Sequence, residues 1–310
     1  MAAPAPSAGT QKRSWLVRTR EPRFAAALLI PSVIVVFGIV LYPILRTLYT
    51  SFFTVDTPFP GTYPFVGLEN YGKIITDPAV WAAIGRTAYF TLLSTALEIG
   101  LGIGLALLLN AKLRLRWLFR AIVVLPWALP TVVNAQMWRF ILNSQYGALN
   151  ALLTQLHIIG SYQSWLGSPF LALNMVTMAD VWKNTSLVAF FLLAGLQTIS
   201  SDLHEAAVVD GASPWQRFWR ITMPLLKSSI LVVLVLRTIE AFKVFDIIYI
   251  MTRGGPANGT QSIAYFTYVR AFSDENFGYG SALAYLIVIV ILVLAAFYIR
   301  ALRSSAANEI

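Results

Sequence analysis

Six long apolar segments restrict what this chain can fold into more than any other feature. Each is about 20 residues long, which is the length that an α-helix needs to cross the roughly 30 Å hydrocarbon core of a bilayer. They lie at approximately 24–45, 87–109, 119–142, 171–196, 228–250 and 280–300. The sequence therefore predicts an all-α integral membrane protein with six transmembrane helices.

The composition agrees with this assignment and excludes several kinds of site. Of the 310 residues, 57% are hydrophobic and 12% are charged, which is outside the range of soluble globular domains. The chain contains no cysteine, so it has no disulfides, no thiolate chemistry and no zinc site built on sulfur. The net charge of +9 would suggest nucleic acid as a partner of a soluble protein. In a membrane protein the positions of the charges matter more, and no nucleic acid is expected.

The distribution of Lys and Arg predicts the orientation of the spans. Positive charge is concentrated in the two tails and the even-numbered gaps, while the gap from 143 to 169 has no Lys or Arg. Positive-inside reasoning then places both termini, and the gap 197–227, in the cytoplasm. The first span follows a basic flank but is too long for a signal-peptide core, so we expect it to be uncleaved. The charges that decide the orientation are Lys112, Arg114, Arg116, Arg120, Arg217, Arg220, Lys227, Arg300 and Arg303.

Four regions are expected along the chain. Residues 1–23 form a disordered, basic cytoplasmic tail, and residues 24–81 form the first transmembrane helix and an external loop. Residues 82–300 form a five-helix core, and residues 301–310 form a cytoplasmic tail. In span two, Gly100 and Gly104 resemble part of a nucleotide-binding fingerprint. Since they lie within an apolar span, the pattern instead predicts close packing of helices.

Span five carries four charges at every third position, and ionisable groups inside a membrane are costly when they face lipid. Neighbours at i,i+3 can pair, so the sequence predicts a ladder of alternating sign. Two interpretations stay open: a structural ion ladder that orders the helix bundle, or a set of charges of which part lines a solute pathway. The intramembrane charges assigned to this ladder and to span four are Asp180, Arg237, Glu240, Lys243 and Asp246.

Spans three and four hold further polar and aromatic side chains at membrane depth. Pro126 and Pro130 are expected to interrupt span three and to free backbone carbonyls. Asp180 and Lys183 form a second i,i+3 pair in span four. Hydrogen-bonding groups beside aromatic rings suit a polyhydroxylated solute. The predicted contacts of that solute are Asn134, Trp138, Lys183 and Asn184.

Motifs of enzymes are missing. There is no G-x-x-x-x-G-K-[ST] phosphate loop and no G-x-S-x-G. The stretch from His204 to Val208 imitates a zincin motif, but Val208 occupies the position of the second ligand. We therefore expect a chain that is not itself an enzyme and that holds no metal or cofactor.

The stretch "EAAVVDGASPWQRFWRITMP" (205–224) has the start and stop signals of two short helices. Asp202 is the predicted N-cap of the first helix, with Glu205 three residues later, and Gly211 is its predicted end. The second helix is expected to begin with Ser213, Pro214 and Gln216 as cap, first turn and capping-box partner. A folded, aromatic-bearing cytoplasmic helix pair suits docking into a protein groove, and an amphipathic pair on the membrane surface is the alternative.

This stretch closely resembles the EAA loop of permease subunits of binding-protein-dependent ABC importers. Met223, His204 and Ser200 stand where that family usually has Leu, Tyr and Pro. The stretches "LPWALPTVVNAQMWRF", "VWKNTSL" and "IMTRGGPANGTQSIAYFTYVRAF" are similar to the carbohydrate-uptake branch of maltose, trehalose and glycerol-phosphate type. The resemblance covers roughly residues 24–300.

The resemblance implies a type I ABC-importer permease fold, with the loop 202–224 as a coupling helix. It implies a bacterial or archaeal cytoplasmic membrane, a second homologous permease, two ATPase subunits that bind ATP and Mg, and an external solute-binding protein. The solute would be a sugar, a di- or oligosaccharide. An ion-gradient-driven secondary transporter and an assembly protein are the alternatives. The residues implied in ATPase coupling are Glu205, Ala206, Ala207, Asp210, Gly211, Ile221 and Pro224.

Overall fold

The computed structural model describes residue 24 and residues 27–56, 61, 63–111 and 114–307. The predicted N-terminal tail 1–23 lies outside these residues. Helices dominate the described part, and the extended pairing found there is one antiparallel bridge between Phe53 and Phe65. The helices are α1 Ala27–Ser51, α2 Glu69–Thr76, α3 Pro78–Asn110, α4 Arg116–Ala128, α5 Thr131–Ile141, α6 Ala148–Gln155, α7 Pro169–Gln197, α8 Ser201–Val209, α9 Pro214–Arg217, α10 Met223–Phe242, α11 Asp246–Met251, α12 Ile263–Tyr268 and α13 Phe277–Ala307.

Three of these helices, α1, α3 and α13, are long and apolar enough to cross a membrane alone. Two bent pairs reach the same length and hydropathy together: α4 with α5, at 92°, and α7 with α8, at 70°. The described residues thus contain three candidate spans, or up to five if each bent pair is one span. The prediction of an all-α membrane protein is confirmed, and the count of six spans stays a prediction. The predicted division after residue 81 falls inside α3 and also stays a prediction.

The bend between α4 and α5 has a local cause. Leu129, which precedes Pro130, has an extended backbone (φ −70°, ψ 134°), and α5 begins immediately after the proline. Proline disfavours a helical residue before it and has no N–H to donate, so the helix ends there. Pro126 lies inside α4 without ending it, so one of the two predicted interruptions is found.

The predicted span 228–250 is not one continuous helix. α10 ends at Phe242, and Lys243 is its C-cap, with φ −94° and ψ 18°. After a break over residues 243–245, α11 begins at Asp246, preceded by Phe245 with φ −137° and ψ −61°. Irregular backbone at membrane depth is tolerated where it lies within protein or lines a cavity. This break is therefore a candidate position for a solute site.

α3 and α7 pack against each other more extensively than any other pair of helices in the described chain. Gly102 explains how closely they approach, because a Cβ at this position would lie 2.5 Å from Val188 Cγ1. Gly100 and Gly104 face open space, so the sequence prediction assigned the close contact to the wrong glycines. The reason is rotation along the helix, since a residue two positions away lies on nearly the opposite face.

The segment between α5 and α7 is ordered by one buried side chain. Asn150 is fully buried; its Nδ2 donates to the carbonyls of Asn143 (3.2 Å) and Gln163 (3.0 Å). Its Oδ1 accepts from the Gln163 amide at 3.0 Å and from Trp165 Nε1 at 2.9 Å. Both polar atoms of the side chain are satisfied, as a buried amide requires. The segment is thereby fixed on α6 without any charged residue.

Candidate functional site

An ion cluster centred on Arg237 lies among three helices. Arg237 Nε and Nη2 donate to the two carboxylate oxygens of Glu98, at 2.5 and 2.9 Å. Nη2 also donates to Asp180 Oδ2 at 3.2 Å, and Nη1 donates to Glu240 Oε2 at 2.7 Å. The planar guanidinium thus binds one carboxylate in a bidentate manner and two others singly.

The cluster connects parts of the chain that are far apart in sequence. Glu98 lies on α3, Asp180 on α7, and Arg237 and Glu240 on α10. The side chains of Glu98 and Arg237 are 0% and 4% exposed, whereas Glu240 is 51% exposed. A buried charge is tolerated when it is paired and hydrogen-bonded, and removal of its partner is strongly destabilising. The ion pairs of Arg237 therefore link α10 to α3 and α7.

Glu98 was not among the charges predicted to form the ladder. It is a lone carboxylate in the middle of the otherwise uncharged part of span two, "TALEIGLGIG". An intramembrane ionisable residue is a functional-site hypothesis by itself, so that signal was present. Its partner could not be found from spacing, because Arg237 lies 139 residues further along the chain.

A cavity of about 500 Å³ opens beside the cluster, which we call the ion-lined cavity. Lys183 and Asn184 line it together with Trp127 and Thr131 from the two sides of the α4–α5 bend. Lys183 Nζ donates to Thr131 Oγ1 at 2.7 Å, and Asn184 Nδ2 donates to Asp180 Oδ1 at 3.0 Å. The charged residues that line it are Asp180, Lys183, Arg237, Glu240, Lys243 and Asp246.

Of the ion pairs expected along span five, one is formed. Arg237 pairs with Glu240 at i,i+3, but within the described residues Lys243 and Asp246 make no ion pair. The helix ends at Phe242, so the i,i+3 spacing no longer applies beyond Glu240. The expected pair of Asp180 with Lys183 is replaced by the contacts of Asp180 with Arg237 and of Lys183 with Thr131.

Two of the four predicted solute contacts do not lie at this cavity. Asn134 is fully buried and its Nδ2 donates to the Ala179 carbonyl on α7, at 3.3 Å. Trp138 packs edge-on against Trp182, with ring centroids 6.0 Å apart. Both residues face α7 rather than the ion-lined cavity, because α5 turns away after the 92° bend. Lys183 and Asn184 line the cavity as expected.

The predicted helix pair is present at residues 201–217, with a corrected start. The N-cap of α8 is Ser200 and not Asp202, because the Ser200 side chain accepts from the Asp202 amide at 3.2 Å. At the other end, Gly211 has φ +77°, and its amide donates to the Val208 carbonyl at 3.0 Å. The next amide, of Ala212, donates to the Ala207 carbonyl at 2.8 Å. These two bonds form a Schellman motif, so Gly211 ends the helix as predicted.

The second helix begins with a full capping box. The Ser213 amide donates to Gln216 Oε1 at 2.8 Å, and the Gln216 amide donates to Ser213 Oγ at 3.3 Å, with Pro214 in the first turn. The rings of Trp215, Phe218 and Trp219 then pack together within 5.1–6.0 Å. Trp215 is 70% exposed, although it belongs to a locally well-ordered unit. An ordered aromatic surface of this kind suits protein docking.

Helical structure is continuous through Pro224. A π-helical turn, Phe218–Thr222, joins α9 to α10, and helical structure continues through Pro224 to Phe242. The π turn lies just before the proline, where the missing N–H and the ring would otherwise disturb the helix.

The remaining residues implied in coupling lie at α8 and in the helical segment that follows α9. Glu205 lines a cavity of about 1040 Å³, together with His204, Arg116 and Arg217. Ala206 is exposed and Ala207 half-buried in α8, where Asp210 is the C-cap. Ile221 is half-buried in the π turn, and Pro224 is exposed in the first turn of α10.

Residues 98–307 match the family described as the inner membrane component of binding-protein-dependent transport systems. The chain belongs to this family. The matched region contains the ion cluster, the ion-lined cavity and the helix pair 201–217. Chains of this family are permease subunits of binding-protein-dependent ABC importers, and the present chain is accordingly a multi-pass permease of the cytoplasmic membrane.

Individual proteins agree with the family assignment. The trehalose/maltose transport system permease protein MalF of Thermococcus litoralis is 39% identical over 284 residues, which is 92% of this permease and 95% of that protein. The sulfoquinovosyl glycerol transport system permease protein SmoG of Agrobacterium fabrum is 38% identical over 280 residues, 90% of each chain. Family membership favours the importer over an ion-gradient-driven transporter.

The fold is also that of solved importers. A chain of a bacterial ABC transporter involved in the import of the acidic polysaccharide alginate superposes with a TM-score of 0.80. That match has 22% sequence identity and covers 93% of this permease and 98% of that chain. The expected ABC-importer permease fold is thereby confirmed.

Proposed function

We propose that this permease moves a sugar, a di- or oligosaccharide, into the cell at the expense of ATP. The observation that carries the proposal is the ion-lined cavity, which combines amide, hydroxyl, charged and aromatic groups at the break between α10 and α11. Ligand sites of about 300–1,000 Å³ with a few convergent polar groups are the usual size for small molecules. Support for a sugar comes from the two relatives named above, whose names specify transport of trehalose, maltose and sulfoquinovosyl glycerol.

Within this cavity we assign solute contact to Lys183 and Asn184. The Lys183 ammonium has further hydrogens to donate beyond its bond to Thr131, and Asn184 offers both donor and acceptor atoms. Arg237, Glu98 and Asp180 are assigned a structural role, because their polar atoms are used on one another. Lys243 and Asp246 lie at the cavity and are exposed, so they extend its polar wall.

We assign ATPase coupling to the unit of α8, Gly211 and α9, which presents exposed apolar side chains on a capped scaffold. Val209 is 87% exposed and Trp215 is 70% exposed. ATP and Mg belong to two separate ATPase subunits in this proposal, and the permease has no ATPase activity of its own. This arrangement requires that unit, and both termini, to lie in the cytoplasm. A second homologous permease and an external solute-binding protein complete the importer.

Uptake by the whole importer tests the proposal. The permease is co-purified with its partner subunits, reconstituted into proteoliposomes and supplied with its binding protein and radiolabelled trehalose or maltose. We expect uptake only when ATP is present, and a loss of uptake in an assembled Asn184→Ala importer. Uptake that follows an ion gradient without ATP, or absence of any ATP-dependent sugar uptake, would contradict the proposal.

A further inference from the structure

A second cavity, of about 510 Å³, lies where α1, α12 and α13 meet. We call it the aromatic cavity, because four aromatic residues line it: Phe245, Tyr268, Phe272 and Phe277. Its walls come from the last turns of α1, from α12 with the π turn that follows, and from the first turns of α13. The predicted topology puts all three of these helix ends on the external side.

The rings form a continuous packed surface. Phe245 contacts Tyr268 with ring centroids 5.2 Å apart, and Tyr268 contacts Phe272 at 5.3 Å. Phe272 in turn contacts Phe277 at 5.9 Å. Tyr249 joins the same surface, 5.5 Å from Phe245 and 5.7 Å from Tyr268. Part of this surface is open, since Phe272 is 63% exposed and Tyr249 is 39% exposed.

Phe245 is a lining residue of both the aromatic cavity and the ion-lined cavity. It stands in the break between α10 and α11, directly before Asp246, which lines the ion-lined cavity. The two spaces are therefore adjacent at this residue.

The polar groups of the aromatic cavity are hydroxyls. Thr47, Thr50, Thr267 and Ser281 line it, and the first three donate their hydrogen to a carbonyl of their own helix, at 2.9, 2.9 and 2.8 Å. Each hydroxyl oxygen can still accept a hydrogen bond. Arg46 adds a guanidinium with several donors, and among the described residues that line this cavity there is no Asp or Glu.

We infer that the aromatic cavity is a second sugar site, which binds one ring of the transported sugar on its way to the ion-lined cavity. Aromatic faces pack on the C–H faces of a sugar ring, while hydroxyl and guanidinium groups satisfy its hydroxyls. This inference rests on the proposed function and adds to it the place where the sugar enters. The π turn Val269–Ser273, between Tyr268 and Phe277, fits a functional position, since π turns are frequent at functional sites.

The absence of cysteine from the sequence makes a direct test possible, because one introduced thiol is the only one in the chain. We propose the variants Phe272→Cys and Phe297→Cys. The two phenylalanines are matched in exposure, at 63% and 66%, but Phe297 lies far along α13 and lines neither cavity. The importer is reconstituted with its partners, and labelling of this chain by a maleimide is followed with and without trehalose or maltose during ATP turnover.

We expect the sugar to slow labelling of Phe272→Cys by about fivefold, in line with the strength of a single aromatic contact. Labelling of Phe297→Cys should not change. Equal labelling of Phe272→Cys with and without sugar would overturn the inference. A thiol that does not label in the importer even without sugar would also overturn it, because a neighbouring subunit would then occupy the cavity. ATP-dependent sugar uptake by the wild-type importer would still support the proposed function, even if the labelling result overturned the second sugar site.

A second measurement separates a contact with the sugar from a packing role. Tyr268→Phe keeps the ring that lines the cavity, whereas Tyr268→Ala removes it. We expect uptake by the Ala variant to fall about tenfold and uptake by the Phe variant to stay within about twofold of wild type, at equal complex yield. Equal uptake by all three would overturn the inference.

Discussion

Arg237 is held by side chains from three helices, whereas Gly211 is held by main-chain bonds to the helix that it ends. The partners of Arg237 lie up to 139 residues away in sequence, and its side chain is 4% exposed. The bonds around Gly211 and Ala212 reach back only to Ala207 and Val208, at the surface. The first region thus depends on the assembled bundle, and the second is ordered by its own residues.

This difference predicts which substitutions should lower stability and which should affect coupling to the ATPase. Removal of one member of the Arg237 cluster leaves a charge buried without its partner, and the cost falls on the whole bundle. A change at Gly211 disturbs a local turn where a Cβ meets no other atom of the chain within 4 Å, so the bundle stays intact. Stability should respond to the first region, and communication with the ATPase should respond to the second.

The largest loss of stability is expected for Arg237→Ala. Glu98 and Asp180 would then be buried carboxylates without a cation, at a cost of about 3–5 kcal/mol in free energy of unfolding. The matched control is Lys73→Ala, which removes the exposed i,i+4 partner of Glu69, where both side chains are more than half exposed (55% and 56%). That pair is worth about 0.3–0.5 kcal/mol. Thermal unfolding of the purified complex measures both, and similar losses would show that the cluster is not what holds the bundle.

An intermediate effect is expected from Glu98→Ala, and a smaller one from Glu240→Ala. Glu98 accepts two hydrogen bonds from Arg237 in a fully buried position, which together contribute about 2–3 kcal/mol. Glu240 accepts one and is 51% exposed, so its loss should cost about 1 kcal/mol or less. Yield of assembled complex and its unfolding temperature decide the order. A greater loss from Glu240→Ala would mean that Glu240 has partners in the complex that outweigh Arg237.

The most local effect on the fold is expected from Gly211→Asp. A side chain at φ +77° costs about 1–2 kcal/mol, and a Cβ there meets no other atom within 4 Å. We expect the complex to assemble and to recruit the binding protein, while its ATPase no longer responds to loaded binding protein. The readout is the ATPase rate in proteoliposomes with and without loaded binding protein. Normal stimulation in a well-assembled complex would show that this turn is not the coupling element.

The same difference explains what could be predicted from the sequence. The capping box of Ser213 and Gln216, the first-turn position of Pro214 and the left-handed Gly211 all follow from residues within a few positions of each other. The break at Pro130 follows from proline chemistry in the same way. These signals are local, so no knowledge of the bundle was needed to find them.

The ion cluster was predicted only in part, because its geometry is not local. The i,i+3 rule identified the pair of Arg237 with Glu240, but it assumed that the helix continues. No Gly or Pro marks the break after Phe242, so the exit of Lys243 and Asp246 from the expected ladder left no signal. The contact of Arg237 with Glu98 depends on how α3, α7 and α10 pack, and spacing along one helix carries no information about that.

The uninterrupted helix from Pro214 to Arg237 has a mechanical consequence. At 1.5 Å per residue it is about 35 Å long, with its first turn, the tip, beside the turn of Gly211 and its other end at the ion-lined cavity. Arg237 is bonded to side chains of α3 and α7, so α10 would pivot at Arg237. A tilt of about 5° around it displaces the tip by about 3 Å, by the length of the helix alone. Conversely, a small displacement of the tip would tilt the part of α10 that lines the ion-lined cavity.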